Sequence, residues 1–149
     1  MILSSQSIRK RKIFSPFNER TKSHGMSYGL GPAGYDVRIR ESMHLAPGQA
    51  KLASTLEHFD MPADVLGMVA DKSTWARRFL TVQNTIIEPG WTGYLTLELT
   101  NHSDVSIRLE EGMPIAQIIF HLLDEPTEQV YRGKYQGQGP RPIKAIYEA

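Results

Sequence analysis

Cysteine is absent from the 149 residues. That excludes a disulfide scaffold, a thiol nucleophile and a Cys-ligated zinc site, including the zinc deaminase signature of H-x-E with P-C-x-x-C. Its absence also fits a reducing compartment. A surplus of one charge is lacking too. Lys+Arg 17 against Asp+Glu 16 leaves +1, so no overall field draws the chain to nucleic acid or to a membrane surface. No apolar run approaches the ~18 residues that cross a bilayer. Met1 to Ser7 lacks the basic-then-apolar order of a secretory leader. There is no G-x-x-x-x-G-K-[ST] phosphate loop, no dinucleotide fingerprint and no G-x-S-x-G elbow. The five histidines show no ligand spacing. The expectation is a soluble cytoplasmic protein with neither nucleic acid nor membrane as partner. An enzyme of this composition works through carboxylates, amides and cations, with or without a magnesium ion.

What is present is globular: 40% hydrophobic and 22% charged residues. The length fits one domain over residues 1–149. Ser5 to Ile13 reads as a short helix, capped by Ser4 or Ser5, with Ile8, Lys12 and Ile13 in weak helical period. The run Arg9-Lys10-Arg11-Lys12 spreads around that helix without interleaved aromatics, which favours a solvated face over a nucleic-acid patch. Residues 15–34 read as irregular. Beyond them, short strands alternate with Pro/Gly turns such as Pro47-Gly48 and Glu88-Pro89-Gly90.

Two strands stand out. From Tyr94 to Thr100, Leu95, Leu97 and Leu99 face one side, and Tyr94, Thr96, Glu98 and Thr100 the other. From Pro114 to Leu122, Ala116, Ile118, Phe120 and Leu122 share a face. The pattern is mainly β: a sandwich, jelly roll or barrel.

Three segments carry candidate chemistry. Asp71 to Arg78 places two hydroxyls, Ser73 and Thr74, beside cations; it suits phosphate oxygens or is a polar turn. Glu98 sits mid-strand opposite the leucines. It is either a general acid or base with restricted hydration, or a surface carboxylate. The polar, glycine-rich segment Lys134 to Pro142 is either a frayed tail or a mobile lid.

These segments recur, in order, as motifs of one family. Ala33-Gly34-Tyr35-Asp36-Val37-Arg38, Asp71 to Arg77, Ile87-Glu88-Pro89-Gly90-Trp91-x-Gly93, Gly112-Met113-Pro114-Ile115-Ala116-Gln117 and Lys134-Tyr135-Gln136-Gly137-Gln138 resemble the five motifs of the trimeric dUTPase and dCTP deaminase superfamily. Met1-Ile2-Leu3-Ser4 before a short helix resembles the deaminase N-terminus. The resemblance implies a distorted β-barrel or jelly roll, with the helix at one end and residues 131–149 as a C-terminal lid. It also implies a homotrimer with active sites between subunits and a deoxynucleoside triphosphate substrate with Mg²⁺ but no zinc.

The deaminase branch is the better match. It converts dCTP to dUTP and ammonia, supplying deoxyuridine nucleotides for thymidylate synthesis. Its general base lies in L-E-[FL], matched by Leu97-Glu98-Leu99; Ser73 and Arg77 match the serine and arginine of R-S-S-x-x-R that assist at the reacting centre. The resemblance further implies substrate contacts at Lys72, Thr74, Asn84, Glu88, Gln117, Tyr131, Lys134 and Gln138, and Mg²⁺ carried by the phosphates, with Asp36 reaching it through water. Lys72 stands where the family has a phosphate-binding arginine, and Glu88 where a dUTPase has its aspartate base, one methylene longer. Gln117 and the segment Phe79 to Thr85 resemble dUTPases and bifunctional enzymes that convert dCTP to dUMP. A dUTPase, alone or bifunctional, is therefore the alternative, followed by a non-catalytic nucleotide-sensing trimer.

Overall fold

The computed structural model describes residues 1–83 and 85–149. Helix α1 (Ser5–Arg11) is followed by β1 (Phe14–Ser15), β2 (Thr21–Ser23), β3 (Met26–Leu30), β4 (Tyr35–Arg38), β5 (Met43–Leu45), β6 (Ala50–Asp60) and β7 (Val65–Asp71). Helix α2 (Ser73–Ala76) then leads to β8 (Leu80–Val82), β9 (Ile86–Ile87), β10 (Thr92–Asn101), β11 (Ile107–Leu109) and β12 (Pro114–Leu122). The protein is mainly β, as its turn spacing predicts. One sheet has the order β2-β3-β4-β12-β7-β9, a second β1-β6-β10-β8, and β11 pairs with β5. The sheets remain separate rather than closing into a continuous barrel.

Strand β12 has the bounds that its sequence predicts and lies between β4 and β7. Its alternation buries Ala116, Ile118 and Phe120 completely. Phe14 of the second sheet meets the ring of Tyr35 at 4.2 Å and that of Phe120 at 5.8 Å. Each such aromatic contributes about 1.5–3 kcal/mol when fully buried, and this cluster joins the two larger sheets.

Three local readings need correction. Helix α1 ends at Arg11, because Lys12 turns left-handed (φ 51°) and sends Ile13 into the core. The Ser4 side chain makes no capping bond. Residues 15–34 are not wholly irregular: β2 and β3 form a hairpin about His24 and Gly25, both at positive φ (52° and 73°). Such a turn matches the twist of the flanking strands. Strand β10 departs from simple alternation, since its register against β6 shifts between Tyr94 and Thr96. The Thr55 hydroxyl accepts the Leu95 amide there at 3.1 Å. A bulge of this kind re-aims side chains, and it turns Leu95 toward the cavity described below.

The basic run on α1 is partly neutralised within the chain. Arg9 binds both carboxylate oxygens of Glu19, and Arg11 both of Asp64. Among the described residues, no helix is long and apolar enough to cross a membrane.

Candidate active site

Strand β10 and the C-terminal tail enclose a cavity of about 470 Å³. That is within the range of small-ligand sites. Its body wall comprises Leu52 of β6, the segment Thr85 to Glu88, Trp91, and Leu95, Thr96 and Glu98 of β10. Its outer wall is the tail: Tyr131, Tyr135, Gln138, Ile143 and Ala145.

Glu98 owes its position to strand pairing. It sits opposite Leu52 in the β10–β6 ladder, with Leu97 and Leu99 buried in the core on the other face. The side chain is half-buried. Burial pushes its carboxyl above the usual carboxylate range, while a hydrogen bond with its own backbone pulls the other way. An apolar surround leaves such a carboxyl able both to take and to return a proton.

The tail is docked rather than frayed between Tyr135 and Gln138. The Gly137 amide donates to the Thr92 carbonyl at 2.9 Å, and the Tyr94 amide to the Gln138 carbonyl at 2.9 Å. Gln138 thus forms a parallel bridge with Gly93. Gly93 is at φ +139°, and a β-carbon there would lie 2.7 Å from the Gln138 nitrogen. The Trp91 indole donates to the Tyr135 carbonyl at 2.7 Å. Gln136 donates to the Gly90 and Tyr131 carbonyls and accepts from the Thr92 amide. Finally, the Thr96 hydroxyl donates to Gln138 Oε1 and accepts the Ile143 amide, both at 3.1 Å.

Of the residues expected at the site, Glu98, Glu88, Tyr131 and Gln138 come together around this cavity. Glu88 is exposed on its rim. Lys134 is exposed, its amine 5.5 Å from the centre of the Tyr135 ring. Lys72, Ser73, Thr74, Arg77 and Gln117 are not part of its lining. Ser73, Thr74 and Arg77 are exposed on and just after α2, which is anchored by buried Trp75 donating to the Pro114 carbonyl at 2.7 Å. Gln117 is half-buried on β12, in register with Asp36. Asn84 lies outside the described residues.

Lys72 and Asp36 form an ion pair. Both are buried, and the lysine amine meets the Asp36 carboxylate at 2.7 Å. Each charge is held by the other because a lone buried ion would be far costlier. Within the chain, Lys72 and Asp36 are thus each other's ion-pair partner. Among the described residues, no group of three or more His, Cys, Asp or Glu side chains could hold a metal ion.

Sequence reasoning overlooked part of the lining. Thr96 could have been found, since it lies two residues from Glu98 on the same face. Leu52, Leu95 and Ile143 carried no such signal. It also missed Glu57, fully buried beside Arg38, whose amide and guanidinium both donate to it at 3.0 Å. Burial raises the Glu57 carboxyl against the pull of that arginine.

The family model described as dCTP deaminase-like matches residues 35–123. The dCTP deaminase of Thermococcus sibiricus is 37% identical, covering 92% of this chain and 92% of that protein. A "dCTP deaminase, dUMP-forming" from Corynebacterium glutamicum is 36% identical over 95% of this chain and 81% of its own. Among solved structures, the native EIAV dUTPase superposes with a TM-score of 0.60 at 22% identity, covering 82% of this chain and 97% of that one. The dUTPase of Staphylococcus bacteriophage 80alpha gives 0.59 at 20% identity, over 79% of this chain and 92% of its own. The solved structures share the fold, and the two relatives align with 92% and 95% of this chain. The chain belongs to the dCTP deaminase-like family.

Proposed function

We propose that this protein deaminates dCTP to dUTP and ammonia, with Glu98 as general base. The observation that carries the reading is a half-buried carboxylate, raised by burial, lining a half-open cavity of about 470 Å³ that the tail walls on one side. Relatives named dCTP deaminase, such as that of Thermococcus sibiricus, support the substrate.

Glu98 takes a proton from water as the oxygen bonds to C4 of cytosine, and passes that proton to N3. It then takes the hydroxyl proton and returns it to the amino nitrogen. The C4–N bond breaks, ammonia leaves, C4 becomes a carbonyl and the carboxylate is restored. Loss of a general base of this kind costs about 10²–10⁴ in rate.

Ser73 and Arg77 assist at the reacting centre from a neighbouring subunit of a homotrimer. Their exposure on and just after α2, outside the cavity of their own chain, supports that arrangement. Thr74, Lys134 and Gln138 hold the triphosphate, while Lys72, through its bond to Asp36, fixes the start of α2. Mg²⁺ arrives on the phosphates as part of the substrate. Glu88 and Tyr131 hold the sugar end, and residues 131–149 serve as the lid.

One observation favours a second reading, direct conversion of dCTP to dUMP. Glu88 stands at the same cavity as Glu98, and a relative carries the dUMP-forming name. Chromatography of products from dCTP and from dUTP, each with Mg²⁺, separates the two. Accumulated dUTP and ammonia from dCTP, with dUTP left intact, is the expected result. Release of dUMP and pyrophosphate establishes the second reading. Consumption of dUTP alone refutes Glu98 as the base.

A further inference from the structure

We propose that Thr96 is a positioning residue whose hydroxyl latches the last eleven residues, 139–149, across the cavity, so that dCTP is retained while Glu98 acts. The proposal rests on the reading of that cavity as the deaminase site.

The tail docks in two parts with different chemistry. Residues 135–138 are held by backbone groups, by the Trp91 indole and by the Gln136 amide side chain. Beyond Gln138 the attachment thins. Among the described residues, the Ile143 amide on Thr96 Oγ1 is the one hydrogen bond between residues 139–149 and the strands. The remaining bonds of this segment stay within the tail: Arg141 to Gly139, and Ile146 to the Tyr135 hydroxyl.

Thr96 is well placed for this duty. It is 8% exposed, and it uses its hydroxyl in both directions. The proton goes to Gln138 Oε1, and a lone pair receives the Ile143 amide. One small group thereby joins the docked part of the tail to the part that is otherwise loose. With the latch made, Ile143 and Ala145 complete the wall opposite Leu52 and Leu95, and about 470 Å³ remains open inside. The segment thus walls the cavity without filling it. Thr96 also lies two residues from Glu98 on one face of β10, so closure and proton transfer are registered on the same strand.

Thr96→Val keeps the shape and removes both hydrogen bonds; Thr96→Ser restores them. Ile143→Pro deletes the donating amide from the tail side and leaves β10 untouched, so it reports even where the strand variant folds poorly. In Thr96→Val, KM for dCTP is expected to rise about tenfold, the scale of two lost hydrogen bonds, with kcat changed far less. Trypsin should cut after Lys144 faster, which reads tail opening without any substrate. Thr96→Ser should behave as the wild type. Ile143→Pro, which removes only the second of these bonds, should raise KM about threefold, and the double variant should be no worse than Thr96→Val alone.

An unchanged KM, an unchanged cleavage rate, or additive effects in the double variant would overturn the latch. Failure of the deaminase reading looks different. Full turnover in Glu98→Gln removes the base assignment, yet leaves the trypsin result standing.

Discussion

Glu98 stands where catalysis and stability pull in opposite directions. Its folded-state carboxyl lies above the ordinary range because burial disfavours the charge. The favourable contribution of such a group is full below the unfolded-state pKa and is lost as pH rises through the folded one. The catalytic sign is the reverse, since a base must be ionised and works only above that same folded value. Glu98→Gln should therefore melt above the wild type at neutral pH, melt with it at acid pH, and lose turnover by about 10²–10⁴. Calorimetry at the two pH values, beside ammonia release, checks both halves. The alternation of leucines around Glu98 put it on the opposite face of the strand, but whether that face is solvated or enclosed was not legible from the pattern. Leu95 was harder, because the bulge that aims it depends on a Thr55 hydroxyl forty residues earlier.

Among the elements, legibility followed burial. Strand β12 is central, and its apolar period fixes both its ends. Strand β2 is exposed or half-exposed along its length, so the hairpin with β3 left no alternation to read, and its His24-Gly25 turn is the stronger clue. The tail was ambiguous for another reason. Its partners, Thr92 to Thr96, lie over forty residues upstream, and Thr92 and Tyr94 use main-chain groups that every sequence has. One position nevertheless declares the docking. Gly93 at φ +139° leaves no room for a β-carbon beside Gln138, and this conformation is itself costly for other residues. Gly93→Ala should displace residues 136–138 and weaken nucleotide binding at least tenfold, a scale set by several lost hydrogen bonds. Faster amide exchange at Gly137 and an increased Kd for dCTP would establish it. Retained protection there would show that the tail is held from elsewhere.

For the whole molecule, the division of the site is the main consequence of the fold. Glu98, Glu88 and the docked tail share one cavity, while Ser73 and Arg77 lie outside its lining. Motif order could suggest this partition but not locate it, because the sequence does not say which surfaces meet. Mixed trimers test it. Inactive Glu98→Gln and Arg77→Ala proteins, unfolded together and reassembled at equal amounts, should regain about a quarter of the wild-type rate, from random assembly of complementary subunits. No recovery would place both groups in one chain. The path of the tail adds a further constraint. Between β12 and the docked residues, Leu123, Thr127 and Tyr131 donate in turn to the carbonyls of Asp64, Ala63 and Pro89. The docking bonds would be the same for a tail supplied by any copy. These three staples tie each tail to its own body, so exchange of tails between copies of the chain would require releasing all of them first.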